Sequence, residues 1–195
     1  MSAVALLMYI MTVLGDVVRP APAPPPPETK DRLPPDRMEA LVSAPMALVR
    51  QGRLEAADAV FRAQRARAAA ADPSRRQEAD LLTAYGILLY TEGMKEREDD
   101  VLQEAAIPWL REAVKAARTG WGPVHPETAL ALQDLGDALS RAGVTKIPAE
   151  AEQALAEAYS IRRQTLGPED RETQASWKAL TRVREARLKA RSRPS

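Results

Sequence analysis

Residues 122–143 read GPVHPETALALQDLGDALSRAG, and their pattern predicts the fold of the chain. Gly122 and Pro123 mark a turn, and Pro126 suits the first position of a helix, where its missing N–H costs no hydrogen bond. Apolar residues then recur at spacings of three and four, which is helical periodicity, until Gly143 closes the stretch. The stretch therefore reads as a turn, a helix start and one amphipathic helix.

This unit occurs again 45 residues further along the chain. Gly122-Pro123 is matched by Gly167-Pro168, and the helices on both sides of the turn match at the same offset: Glu127-Thr128 with Glu172-Thr173, Leu135 with Leu180, Leu110 with Leu155 and Ala113 with Ala158. Each unit contains two helices. A period of this size indicates stacked helical repeats.

The first helix of a unit has the same pattern in two copies. The pattern is a bulky residue, a large residue followed by glycine, another large residue and a closing glycine. These are Leu132, Leu135, Gly136, Leu139 and Gly143 in one copy, and Leu82, Tyr85, Gly86, Leu89 and Gly93 in an earlier one. The second helices carry a small, a large and a small residue: Ala106, Leu110 and Ala113, and again Ala151, Leu155 and Ala158. The pattern resembles the tetratricopeptide repeat, in the longer form found in kinesin light chains.

The resemblance implies an all-α fold in which helical-hairpin repeats stack as a short right-handed α-solenoid. It covers about residues 38–190, with a degenerate first unit and a single capping helix at the end. It also implies that Gly86 and Gly136 let the second helix of each unit approach closely. Residues 94–104, MKEREDDVLQE, are expected to form an unusually long turn within the second unit.

The chain divides into four segments by composition. Residues 1–18 are an apolar, signal-like or membrane-tethering segment, residues 19–36 a proline-rich linker, residues 37–190 the repeat domain, and residues 191–195 a basic tail. Proline at this density favours an extended spacer. A docking motif for small aromatic-grooved domains is the alternative reading of the linker.

The apolar run from Ala3 to Leu14 is short for a membrane span but suits the core of a secretory signal. It indicates an exported or membrane-tethered protein on the periplasmic or extracellular side. A secretory signal has a positively charged region before its apolar core, but here only the α-amino group supplies positive charge. The alternative is a cytoplasmic protein with a mistaken start codon or a buried apolar helix.

Composition excludes several chemistries. The 28 basic and 27 acidic residues nearly cancel, so no global field attracts nucleic acid, and the absence of cysteine excludes thiol nucleophiles and disulfides. Few aromatic and β-branched residues are present, and alanine dominates the apolar set, which favours closely packed helices.

The single histidine, His125, is the obvious candidate for a metal or catalytic site. Asp170 holds its place one period later, and a position that accepts either residue reads as a helix start. Asp134 and Asp137 share a helix, but no further ligands are spaced to complete a metal site. No phosphate-binding glycine loop follows a strand. The sequence therefore predicts no metal, no cofactor and no enzyme.

Basic residues crowd the C-terminal helix and an earlier helix and turn. They are Arg182, Arg184, Arg187, Lys189, Arg191 and Arg193, and Arg62, Arg65, Arg67, Arg75 and Arg76. A solvated helix end explains them. The alternative is binding of nucleic acid or anionic membranes through the C-terminal helix, although no aromatic residue is interleaved with the tail.

The three tryptophans could suggest a ligand cage. Trp109 and Trp177 fall on apolar helical faces and are predicted to lie in the core. Trp121 stands between two glycines in a turn and is expected to be partly exposed.

The resemblance further implies a peptide-binding groove lined by the first helices, with a protein or peptide as partner. The groove positions are Thr83, Ile87, Tyr90 and Thr91, then Gln133, Asp137, Ser140 and Arg141, and finally Lys178 and Arg182. Co-chaperones of the family bind a terminal carboxylate with lysine and asparagine, and this chain contains no asparagine. The predicted function is a non-enzymatic interaction scaffold, either free or as a subunit of a larger assembly.

Overall fold

A computed structural model describes residues 35–95, 100–141 and 148–191. Within these ranges the regular structure is entirely helical, which confirms the all-α prediction. The helices are α1 Pro35–Arg50, α2 Leu54–Ala71, α3 Arg76–Lys95, α4 Asp100–Gly120, α5 Pro126–Arg141, α6 Ala149–Thr165 and α7 Arg171–Arg191. The segment predicted for residues 1–18, residues 19–34 of the linker predicted for 19–36, and the end of the basic tail lie outside the described residues. The last two residues predicted for the linker, Pro35 and Asp36, instead begin α1, so that boundary was wrong.

Each helix packs against the next along the chain, so α1/α2, α3/α4 and α5/α6 form three helical hairpins and α7 follows them. The first helices also contact one another in order, α1 with α3, α3 with α5 and α5 with α7. This order of contacts is that of stacked hairpins. We call the surface formed by α1, α3, α5 and α7 the first-helix face, and the surface formed by α2, α4 and α6 the second-helix face.

The two predicted glycine contacts within the hairpins are confirmed. A Cβ built on Gly86 would lie 2.7 Å from Leu110, and one built on Gly136 would lie 2.6 Å from Leu155. Both leucines are fully buried. Because no other residue lets the helices approach this closely, the two glycines set the separation of α3 from α4 and of α5 from α6.

The core between the first two hairpins is aromatic. Phe61 stacks on Tyr85 with ring centroids 4.0 Å apart, and Trp109 meets both rings edge-on at 5.1 and 5.5 Å. The Tyr85 hydroxyl donates to Asp58 Oδ1 at 3.0 Å, and burial of the ring is the largest cause that raises the pKa of this phenol. Trp109 therefore lies in the core as predicted.

Trp177 does not lie in the core, and that prediction was wrong. Its side chain is 48% exposed and packs only partly, against Tyr159 at 5.1 Å between ring centroids. The physical reason is its place on α7, the last described helix, which packs against α5 and α6 through its other side. That other side buries Thr173, Ser176 and Leu180.

The long turn predicted for residues 94–104 was also wrong. Helix α3 continues to Lys95 and α4 begins at Asp100, so that Val101 to Glu104 are helical. The charged run suggested a loop, but an acidic residue in the first turn of a helix is favoured by the helix dipole. Gln103 is buried in this first part of α4.

Candidate binding groove

A cavity of about 180 Å³ opens on the first-helix face. Its lining comes from α1, α3 and α5 together with the end of α4: Met38, Ala79, Asp80, Thr83, Ala84, Ile87, Ala117, Trp121, Glu127 and Leu130. Most of these side chains are apolar, and the charged members are both acidic. Three successive first helices thus contribute to one apolar depression, which we call the apolar cavity.

The turn after α4 places Trp121 in the apolar cavity. Gly122 follows with a φ of +100°, a conformation that favours glycine, and its carbonyl accepts a hydrogen bond from the Thr128 hydroxyl at 2.7 Å. The indole is half-buried, as predicted. It stacks on the His125 ring at 4.9 Å, and the Arg76 guanidinium lies 4.7 Å from its centroid. Its Nε1 is buried and has no hydrogen-bond partner among the described residues.

His125 immediately precedes α5 and caps its first turn, as the predicted helix-start role requires. Its Nδ1 accepts from the Glu127 N–H at 3.1 Å, and its carbonyl accepts from the Ala129 N–H at 3.0 Å. Asp170 does the same for α7, with Oδ1 accepting from the N–H groups of Glu172 at 2.8 Å and of Thr173 at 3.2 Å. The imidazole and the carboxylate therefore satisfy the same otherwise unpaired backbone donors.

A second group of side chains lies beside the apolar cavity, where α3, α5, α6 and α7 come together. We call it the polar cluster, and it contains Tyr90, Gln133, Asp134, Asp137, Arg141, Arg162 and Arg182. Asp137 is the centre: Gln133 Nε2 donates to its Oδ2 at 2.9 Å, and Arg182 Nη2 lies 3.4 Å from its Oδ1. Burial raises the pKa of the Tyr90 phenol, and the neighbouring Arg141 opposes that effect.

Arg162 is the buried cation of the polar cluster. Its Nη1 donates to the Ser176 hydroxyl at 2.7 Å, and its Nη2 lies 3.3 Å from Glu172 Oε2. A longer contact of 3.5 Å joins Nη1 to Gln133 Oε1. Since α6, α7 and α5 each contribute to these contacts, Arg162 ties the last helix to the third hairpin.

Asp134 carries the most perturbed carboxyl group of the cluster. Its Oδ2 is buried and has no hydrogen-bond partner within the described residues. Burial, and then the nearby Asp137 carboxylate, raise the pKa of Asp134 to about 7, while Arg162 acts in the opposite direction. A carboxyl group in this state exchanges its proton near neutral pH.

The predicted groove residues fall into three sets. Thr83 and Ile87 line the apolar cavity. Tyr90, Gln133, Asp137, Arg141 and Arg182 belong to the polar cluster. The remaining members are Thr91, Ser140 and Lys178.

The hydroxyls in this prediction are engaged within their own helices. Thr91 donates to the Leu88 carbonyl at 3.1 Å, Ser140 to the Asp137 carbonyl at 2.8 Å and Thr83 to the Ala79 carbonyl at 2.9 Å. Lys178 is exposed on α7. These four positions therefore contribute shape or charge to the first-helix face. The three hydroxyls among them already donate within their own helices.

Sequence reasoning did not assign several residues to this face: Met38, Asp80, Trp121, Leu130, Asp134 and Arg162. Asp134 stands 50 positions after Ala84, at the matching place in the next first helix, but the sequence assigned neither residue to the groove. Arg162 gives no signal in the sequence, since it lies on a second helix and reaches the cluster only through the packing of α6 on α7.

A larger cavity, about 270 Å³, lies on the second-helix face between α4 and α6. Ion pairs cross it, with Arg111 Nη2 2.5 Å from Glu150 Oε2 and Arg118 Nη2 2.7 Å from Glu157 Oε1. The pKa of Glu150 is lowered, chiefly by its hydrogen bond from Arg111. The remaining cation of the lining, Lys115, pairs with Glu112, so the charges around this cavity already have partners.

Within residues 35–95, 100–141 and 148–191, no group of three or more acidic, histidine or cysteine side chains is arranged to hold a metal ion. No helix in the same ranges has the length and apolarity needed to cross a membrane. No protein-family model, curated protein or solved structure matches the chain.

Proposed function

We propose that this protein is a non-enzymatic interaction scaffold of tetratricopeptide-like repeats that binds a peptide or protein segment on its first-helix face. The apolar cavity is the observation that carries the proposal. Three first helices and Trp121 form one depression whose apolar side chains would be removed from water by a bound segment. Peptide-binding surfaces of stacked repeats are extended in the same way across several units.

The neighbouring polar cluster would orient the bound segment. Asp137, Arg141 and Arg182 place both signs of charge beside the apolar cavity. An apolar contact then supplies affinity, and charged groups at its edge select the partner and its direction.

The ion pairs of α7 weigh against the alternative, binding of nucleic acid or anionic membranes. Arg182 pairs with Asp137, while Arg184 and Arg187 both pair with Glu152. Hydrogen bonds from these two arginines, Arg184 first, lower the pKa of Glu152. A polyanion would have to compete with these carboxylates for the same cations.

The test is capture of partners by the full chain and by two matched variants, followed by mass spectrometry. Ile87→Glu places a charge in the apolar cavity, whereas Leu188→Glu changes an apolar side chain that is 64% exposed on α7. Proteins that bind wild type and Leu188→Glu, but not Ile87→Glu, would support the proposal. Equal capture by all three forms would contradict it, provided that circular dichroism shows Ile87→Glu to be folded.

The apolar residues 1–18 and the proline-rich linker are proposed to hold this scaffold outside the cytoplasm. Deleting residues 1–18 should release the protein from the envelope fraction, and the remaining chain should still be helical by circular dichroism. Unchanged fractionation would contradict the proposed localisation and leave the scaffold proposal standing.

A further inference from the structure

We propose that the apolar cavity is the docking site for the chain's own proline-rich segment, residues 19–34, which an external partner must displace. The inference rests on the proposed function, because it names a ligand and a form of regulation for the same surface. Residues 19–34 lie outside the described residues, so the argument starts from the cavity and from where the described chain begins.

The first step is location. Helix α1 begins at Pro35, and Met38, three residues later, already lines the apolar cavity. At a rise of 1.5 Å per residue, the attachment point of the segment is only about 5 Å along the helix axis from Met38. Sixteen extended residues at about 3.1 Å each can span roughly 50 Å, so the segment reaches every part of the cavity.

The second step is chemistry. The segment contains Leu33 and seven prolines, and proline-rich segments bind where aromatic and apolar side chains form a groove. Trp121 supplies the aromatic surface, next to Ile87 and Leu130. A proline residue has a carbonyl but no N–H, so an extended proline-rich chain presents acceptors.

The third step is an unsatisfied donor. The Nε1 of Trp121 is buried without a hydrogen-bond partner among the described residues, although a buried indole N–H ordinarily has one. A docked proline-rich chain supplies backbone carbonyls at the cavity that Trp121 lines. Because this N–H is itself buried, it reaches such a carbonyl only if the Trp121 side chain shifts on docking, and its resonance therefore reports the docked state.

The fourth step is charge. The two charged residues that line the cavity, Asp80 and Glu127, are acidic, and the Arg76 guanidinium lies beside them against the Trp121 ring. The segment carries Arg19, Lys30 and Arg32 against Glu28 and Asp31, so its net charge is opposite in sign. The tether also raises the local concentration of the segment at the cavity to the millimolar range expected for short linkers.

The experiment compares the isotope-labelled full chain with a segment variant in which Pro24, Pro25, Pro26, Pro27 and Leu33 are all changed to Ser. Ala21→Ser with Ala23→Ser is the matched control, because it alters the same segment and keeps its prolines. The readout is the NMR resonance of the Trp121 indole N–H, assigned by Trp121→Phe. The resonances of Trp109 and Trp177 report whether the fold is unchanged.

The expected result is a shifted Trp121 resonance in the segment variant and none in the control. A synthetic peptide with the sequence of residues 19–34 should return that resonance to its wild-type position. The same peptide should bind wild type at least about tenfold more weakly than the segment variant, because the tethered segment competes for the cavity.

An identical Trp121 resonance in wild type and segment variant, or equal peptide affinity for both, would overturn the inference. A shift that disappears on dilution would also overturn it, since the segment would then dock on a second copy of the chain. Partner capture by the Ile87→Glu variant tests the proposed function separately from the self-docking of residues 19–34. Loss of capture in that variant, with no effect of the segment, leaves the scaffold proposal intact and removes the self-docking.

Discussion

The second and third helical hairpins share their packing but present different surfaces. Gly86 meets Leu110 in the α3/α4 hairpin just as Gly136 meets Leu155 in the α5/α6 hairpin. On the first-helix face, positions 50 apart differ: Thr83, Ala84 and Ile87 in α3 correspond to Gln133, Asp134 and Asp137 in α5. The packing positions are therefore repeated, while the surface positions have diverged into an apolar cavity and a polar cluster.

The hairpins also differ at one buried position near the helix start. Glu78 in α3 occupies the place of Thr128 in α5 and Thr173 in α7, and all three are buried. Glu78 Oε1 lies 2.7 Å from Arg65 Nε, and its Oε2 pairs with Arg75. The hydrogen bond that Arg75 donates to Glu78 is the largest cause that raises the pKa of Arg75. The second hairpin thus uses an ion pair where the third uses a hydroxyl.

Protonation of Asp134 should give the largest effect. Its pKa is raised from 3.8 to about 7 in the folded chain, so the native state binds a proton that the unfolded chain releases. The stabilisation is therefore complete below the unfolded pKa and is lost as pH rises through about 7. The free energy of unfolding should fall by roughly 3–4 kcal/mol between pH 4 and 8.

Urea unfolding across this pH range measures the effect. Asp134→Ala places in α5 the residue that α3 has at the matching position, Ala84, and should remove most of the pH dependence. Histidine is the other residue type that gains a proton in this range, so both forms are compared in a His125→Asn background. An equal pH dependence with and without Asp134 would contradict the expectation.

Glu78→Thr converts the buried position of the second hairpin to the type found in the third. Arg65 and Arg75 would lose their shared carboxylate, but both are partly exposed and water can reach them. We expect a loss of about 2 kcal/mol in the free energy of unfolding, less than for a fully buried ion pair. The reciprocal change, Thr128→Glu, lacks matching arginines and should destabilise at least as much.

A methyl group added at the glycine contacts tests the shared packing. Gly136→Ala would place its Cβ 2.6 Å from Leu155 Cγ and 3.2 Å from the Ala151 carbonyl oxygen, so the backbone resists the shift. Gly86→Ala meets the Leu110 side chain at 2.7 Å and its backbone only at 3.4 Å. We expect Gly136→Ala to lower the free energy of unfolding by about 1–2 kcal/mol and Gly86→Ala to lower it by less. Both figures include the gain in helix propensity.

Thermal unfolding of the two glycine variants gives the comparison directly. Gly52→Ala is not a suitable control, because its φ of +72° strains any other residue. Ala63→Ser, at an exposed position of α2, is suitable. A stabilised Gly136→Ala would show that the close approach of α5 and α6 is not constrained by Leu155.

The helix starts should give the smallest effects. Asp170→Ala removes an acceptor for two backbone N–H groups, and a loss of about 1 kcal/mol is expected. His125→Ala removes an acceptor for one, so roughly half of that is expected. Chemical denaturation of the two variants measures the difference. A larger loss for His125→Ala would show that its stacking on Trp121 contributes more than its hydrogen bond.

Sequence reasoning predicted the elements that depend on local pattern. The spacing of Leu132, Leu135 and Leu139 predicted α5, and the repeated Gly-Pro turns predicted the helix starts at His125 and Asp170. It failed where local pattern was ambiguous. The charged residues 94–104 read as a loop although most are helical, and Trp177 read as core although no described helix covers its outer side.

The sequence by itself determined the helical class, the hairpin repeat and the glycines that set the helix separations, because each depends on residues within a few turns of one another. Tertiary structure alone decided what the first-helix face contains. Trp121 lines the apolar cavity only because α4 ends beside α1 and α3. The Asp134 carboxyl lies near Arg162 only because α5, α6 and α7 converge. Burial and charge proximity depend on distances across the fold, and a periodic pattern along the chain does not contain them.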